Sequence, residues 1–167
     1  MALNLDSKKV VVDEVAEYAS KALSAVAAEY RGLTVSELTE LRTSAREAGV
    51  YLRVVKNSLA KRAFAGTDFE CLQEGMKGPL ILALAMEAPG SAARVINDFA
   101  KTNNKLIAKV IGFDGKSLDV SELSRLASMP TRDEGISLIM AVMKAPVGKL
   151  ARTLAALRDQ KQEAEAA

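Results

Sequence analysis

Residues 30–62, YRGLTVSELTELRTSAREAGVYLRVVKNSLAKR, place a helix, a strand and the start of another helix in close succession. Thr34-x-x-Glu37 is a capping box, in which the Thr hydroxyl meets the Glu37 amide and the Glu carboxylate reaches back. Leu38, Leu41, Ala45 and Ala48 then recur on one face until Gly49 supplies a stop. From residue 50 to 55 the period changes to two: Val50, Leu52 and Val54 face one side, Tyr51, Arg53 and Val55 the other, as in a strand. Lys56-Asn57-Ser58 follows, with Asn57 or Ser58 as cap of a helix that turns Leu59, Ala63 and Phe64 inward and Ser58, Lys61 and Arg62 outward. Helix and strand in alternation predict a layered α/β domain.

The same alternation extends in both directions. Upstream, Val11, Val12, Val15, Ala19, Ala22 and Leu23 give an amphipathic helix over residues 7–23, capped by Asp6 or Ser7, and residues 24–30 read as a short strand. Downstream, Thr67-x-x-Glu70 opens a short helix, Gly78-Pro79 punctuates, and LILALAM (80–86) is apolar at every position, as in a strand covered on both faces, which is expected to be central in the sheet. A helix follows Pro89, then a strand over 106–113 closed by Asp114-Gly115, then a short helix capped at Asp119 and stopped at Met129-Pro130. Three or four strands with some very short connections predict a small mixed sheet flanked by helices, an α/β (α+β) fold spanning residues 1–130.

From residue 131 the pattern differs. After the capping box Thr131-x-x-Glu134, the apolar positions Ile136, Met140, Met143, Val147, Leu150, Leu154 and Leu157 alternate spacings of four and three, a heptad seam. Ala145-Pro146-Val147-Gly148 interrupts it, so residues 131–167 are expected to form an extended helical arm of two segments with a kink, fraying in QKQEAEAA. The seam could be a last core helix of its own domain, a homodimeric coiled coil, or a surface for a partner that supplies other helices. Pro146 spoils a regular homodimeric coil, and the Met and Ala side chains make an adaptable surface, which favours the partner.

Charge is unevenly spread. Residues 30–62 carry seven cations and three acids, a net +4 in a chain of 167 residues whose total is +2. Within residues 50–62, Arg53, Lys56, Lys61 and Arg62 meet no acid at all. A local basic segment in a nearly neutral protein suggests a docking surface for a polyanion. A helix start at Asn57-Ser58 adds backbone N–H groups that suit phosphate, and Arg31-Gly32 lets backbone and guanidinium approach a second one. With only Tyr30 and Tyr51 near enough to stack, backbone and shape reading of structured RNA is the expected mode. Lys8 and Lys9, in the first turn of their helix, sit at the wrong end for its dipole, which suggests an external anion; two solvated lysines are the plainer reading.

Other chemistries find little support. Histidine is absent, removing the usual general base and commonest metal ligand, and neither a Walker-type loop nor G-x-G-x-x-G occurs. No catalytic residue, metal site or cofactor is assigned. Lone Cys71 permits no internal disulfide, and no run approaches the roughly 20 apolar residues of a membrane span, so a cytoplasmic protein is expected. Two rivals remain: a homodimeric coiled-coil adaptor without RNA binding, and a small enzyme built on Lys and carboxylates, for which no pairing in the sequence speaks.

The run YRGLTVSELTELRTSAREAGVYLRVVKNSLAKRAF, the start MALNL, GTDFECL, GPLILA and the tail GKLARTLAALRD together resemble the family of bacterial large-subunit ribosomal protein ten, the base of the ribosomal stalk. The resemblance covers essentially the whole chain. It implies a globular head, residues 1–130, that binds large-subunit ribosomal RNA beside ribosomal protein eleven. It also implies an arm, residues 131–167, that binds dimers of the acidic stalk proteins seven/twelve, which recruit translational GTPases. In several bacteria the family represses its own messenger. Carried over by position, the RNA face is Lys8, Lys9, Arg31, Gly32, Arg53, Lys56, Asn57, Ser58 and Lys61. The two arm segments flanking Pro146 imply two acidic dimers, and the protein-binding residues are those of the seam. The implied function is that of a non-enzymatic scaffold of the ribosome.

Overall fold

A computed structural model of the chain describes residues 4–103 and 105–166, with side chains described as far as Gln162. Met1, Ala2 and Leu3 of the MALNL motif lie outside the described residues. The chain divides into two compact units, Met1–Met129 and Pro130–Ala167.

In the first unit, β1 (Ser24–Glu29), β2 (Val50–Val54), β3 (Leu80–Ala85), β4 (Ile107–Phe113) and β5 (Lys116–Leu118) form one sheet in the order β2-β3-β1-β4-β5. Every pairing among the described residues is antiparallel, where the sequence reading expected a mixed sheet. The crossovers explain the difference. β1 and β2 both run against β3, so they are parallel to each other with β3 inserted between them, and β3 and β4 stand in the same relation around β1. Helices α2 (Val35–Glu47) and α4 (Ser91–Thr102) therefore do cross between parallel strands, in the split β-α-β manner, yet no two parallel strands are neighbours.

Helices cover both faces of this sheet. Val26, Ala28, Ile81, Ala83 and Ala85 point into one core with Leu41 and Ala45 of α2, Ala92, Ala93 and Ile96 of α4, and Leu123 and Leu126 of α5 (Leu123–Ala127). Ala25, Ala27, Leu80, Leu82 and Leu84 point into the other, against Val15 and Ala19 of α1 (Leu5–Lys21) and Leu59, Ala60, Ala63 and Phe64 of α3 (Asn57–Phe64). A strand buried on both faces has no polar side to show, which is why LILALA lacks alternation even though its neighbours are antiparallel. The sequence reading expected it to be the central strand; it is second in the order, next to the edge strand β2, and β1 is central.

Local differences from the sequence reading have local causes. Thr67 and Glu70 form no capping box: the Thr67 hydroxyl donates to the Phe64 carbonyl, closing the end of α3, and Glu70–Gln73 is a 3₁₀ turn. The hairpin at Asp114-Gly115, where both residues have positive φ, leads into β5, a three-residue strand too short for a periodicity signal. By contrast, the Thr34/Glu37 and Thr131/Glu134 capping boxes are both present in reciprocal form.

The second unit is one helix, α6 (Arg132–Ala166), assigned without a break across Pro146, where two segments were expected. Proline has no N–H, so the Val142 carbonyl goes without its i+4 donor inside this helix.

Candidate nucleic-acid interface and exposed helix

β1 and β2 both end beside the start of β3, with Glu29 opposite Leu80 and Val54 opposite Ile81. Three chain segments are thereby brought to one corner: Tyr30-Arg31-Gly32, Lys56-Asn57-Ser58 and Gly78-Pro79. The Tyr30 N–H donates to the Pro79 carbonyl at 3.4 Å and Asn57 Nδ2 to the Gly78 carbonyl at 2.8 Å. Gly32 and Gly78 have φ of 91° and 95°, the left-handed region that favours glycine, and nothing lies within 4 Å of where a Cβ on Gly78 would be. The result is an open cleft of about 400 Å³ between Tyr30, Lys56, Ser58 and Pro79. Gly78-Pro79, read from sequence only as punctuation, is the third wall; nothing local to it signals that two strand ends converge there.

Helix α3 begins in this cleft. Its N-cap is Lys56, with no side-chain cap bond, where Asn57 or Ser58 was expected, because the Asn57 amide is engaged by Gly78. No side chain caps the first N–H groups of α3, and Lys56 stands beside them. Arg31 and Lys56 are exposed and Lys61 half-buried. None of the three forms an ion pair with a described residue.

Arg53 stands apart from these cations. Its guanidinium pairs with Glu14 of α1 and donates to Tyr51 Oη at 3.1 Å, while Tyr51 Oη donates to Glu14 at 3.0 Å. The Tyr51 ring stacks on Tyr18 with centroids 4.0 Å apart. Hydrogen bonds from Arg53 and then Tyr51 hold the Glu14 carboxyl below its ordinary value, and those with Tyr51 and Glu14 raise Arg53 further. This cluster ties the edge strand β2 to α1. Sequence saw an acid-free stretch because the partner acid lies on another element.

Lys8 and Lys9 are not at the corner. Asn4, not Asp6 or Ser7, caps α1, so the helix begins at Leu5 and Asp6 occupies its first turn. Lys8 falls at the end of that turn and Lys9 beyond it, which removes the dipole argument for an anion there. Both border α3 instead.

On α6, the whole seam is exposed, from 49% at Ile136 to 75% at Met143. Leu138, Ile139 and Val142 are equally bare, a feature missed because a heptad template selects one stripe, and this part of the helix is apolar on several sides. Between residues 135 and 158 there are four cations, Lys144, Lys149, Arg152 and Arg158, and no acid. No helix among the described residues is long and apolar enough to cross a membrane.

An α/β head with an open cationic corner, continued in sequence by a helix with an exposed apolar stripe, makes a class of protein with two unlike exposed surfaces. Family comparison gives that class a name. Residues 3–101 match the family of ribosomal protein L10 and residues 129–165 that of the ribosomal protein uL10 C-terminal region. The chain is 60% identical over 173 aligned positions to large ribosomal subunit protein uL10 of Thioalkalivibrio sulfidiphilus, covering 97% of this chain and 98% of that one. It is 59% identical to the protein of the same name from Methylococcus capsulatus, covering 98% of this chain and all of the other, and 54% identical to that of Halorhodospira halophila with the same coverage. The chain belongs to the ribosomal protein L10 family, a structural and non-enzymatic family of the large ribosomal subunit.

Proposed function

We propose that this chain is the base of the large-subunit stalk, its head held by ribosomal RNA and its arm holding the acidic stalk proteins. The observation that carries the reading is the bare stripe of α6, because seven apolar side chains are each worth roughly 1.5–3 kcal/mol when covered and nothing among the described residues covers them. The acid-free, four-cation stretch over 135–158 complements an acidic partner. Two dimers, one to each side of Pro146, would share the stripe, and through them translational GTPases are recruited indirectly.

The head's part rests on the corner. Arg31, Gly32, Lys56, Asn57, Ser58 and Lys61 present unpaired cations and an uncapped helix start to phosphate, and Arg53 contributes the guanidinium N–H groups that Glu14 and Tyr51 leave free. Lys8 and Lys9 extend the face along α1. Ribosomal protein eleven is the neighbour on the same RNA, and repression of the chain's own messenger would use the same corner on a similar RNA fold.

Replacing Leu150 and Leu154 by Asp tests the division. The variant should lose at least about tenfold in affinity for acidic stalk protein, consistent with about 1.4 kcal/mol or more of lost burial, while its affinity for ribosomal RNA stays within about twofold. Equal loss of both would place the arm in the folded core and overturn the reading.

A further inference from the structure

The head ends where α5 stops, and α4 holds that end. The hydroxyl of Ser24, a buried residue of the central strand β1, donates to the Pro89 carbonyl at 2.6 Å and ties the turn before α4 to the sheet. The next residue, Gly90, lies against the end of α5. A Cβ there would stand 2.7 Å from the Leu126 carbonyl oxygen and 3.1 Å from that of Met129, an approach that only glycine allows. One turn further along α4, Arg94 reaches carbonyls that a helix end leaves without intrahelical donors. Its Nε donates to the Ala127 carbonyl at 3.3 Å and its Nη2 to that of Met129 at 3.1 Å. The guanidinium is a rigid fork, so two carbonyls bonded by it keep a set geometry.

We propose that Arg94 is a positioning residue for the arm, and that it leaves Pro130 as the joint about which the arm turns. The peptide unit joining Met129 to Pro130 is planar, and its oxygen is the one Arg94 holds, so that plane belongs to the head. The following peptide unit joins Pro130 to Thr131. Its N–H donates to Glu134 at 2.9 Å within the capping box that starts α6, so this second plane moves with the arm. Between the two planes lie only the φ and ψ of Pro130, and the proline ring fixes φ. The ψ of Pro130 is thereby left as an axle, and the arm sweeps a cone about a single bond. Neither RNA nor a partner protein enters this device, so it stands or falls apart from the stalk reading.

The test is backbone amide relaxation and hydrogen exchange on the full chain, unaltered and as Arg94→Ala, Gly90→Ala and Pro130→Ala. Arg94→Ala removes the fork, and Gly90→Ala pushes α5 away from α4 with Arg94 still present. In both, the amides of Ser128 and Met129, which close the end of α5, should exchange at least about tenfold faster, and α6 should tumble more independently of the head. Exchange in β1 and β3 should stay at the unaltered rate. Pro130→Ala frees φ alone, so it should loosen the arm while Ser128 and Met129 keep their protection. Arm tumbling in Arg94→Ala equal to that of the unaltered chain would overturn the proposal. So would an unaltered chain whose arm already tumbles freely, or faster exchange in β1 and β3 to the same degree as at Ser128, which would make Arg94 a brace of the whole head.

Discussion

Glu14 gives up its proton more readily than a solvated glutamate because Arg53, and after it Tyr51, donate hydrogen bonds to its charged form. A carboxyl depressed in the folded state adds stability that is complete above its unfolded value. That stability is lost as pH falls through the lowered one. The cluster should therefore contribute at neutral pH and fade on the acid side of the ordinary glutamate range. Both side chains are more than a third exposed, so screening holds the contribution to about 1 kcal/mol or less. Glu14→Gln should lower urea stability slightly at pH 7 and flatten the acid limb of the stability–pH curve. A variant that follows the native curve throughout would show the bridge to be energetically silent. The capping boxes at Thr34 and Thr131 were legible from sequence because all their atoms lie within four residues. The Arg53–Glu14 bridge was not, since its partners meet only after α1 has packed beside β2. Asn57 shows the same limit: it reads as a helix cap, and the approach of Gly78 redirects it.

At the scale of the element, α6 concentrates the unusual features. Pro146 lies inside an assigned helix, where an interior proline costs about 3 kcal/mol relative to alanine. Pro146→Ala restores an N–H to the Val142 carbonyl, and amide exchange of the residues around position 146 should slow at least about tenfold. Unchanged exchange would mean that the helix is not weakened there. The seam was legible because its spacing of four and three needs no tertiary information. The continuity of the helix was not, because proline lowers helix propensity without fixing whether the turns on either side join. Likewise β5 escaped notice: three residues are too few for periodicity, and only pairing with β4 makes them a strand.

For the whole molecule, the alternation of helix and strand carried the α/β class, and the unbroken apolar run carried the burial of β3 on both faces. Strand neighbours were out of reach, since insertion of β3 between β1 and β2 depends on contacts far apart in the chain. Convergence at the corner follows from that insertion, which is why Gly78-Pro79 gave no sign of its place. The account of function assigns phosphate to the head and acidic protein to the arm. Its most direct test is the intact mass of the complex that the chain forms with its partners in cells, after removal of ribosomal RNA. The account expects one copy of the chain with four copies of an acidic stalk protein. A complex of two copies of the chain and no acidic partner would contradict it.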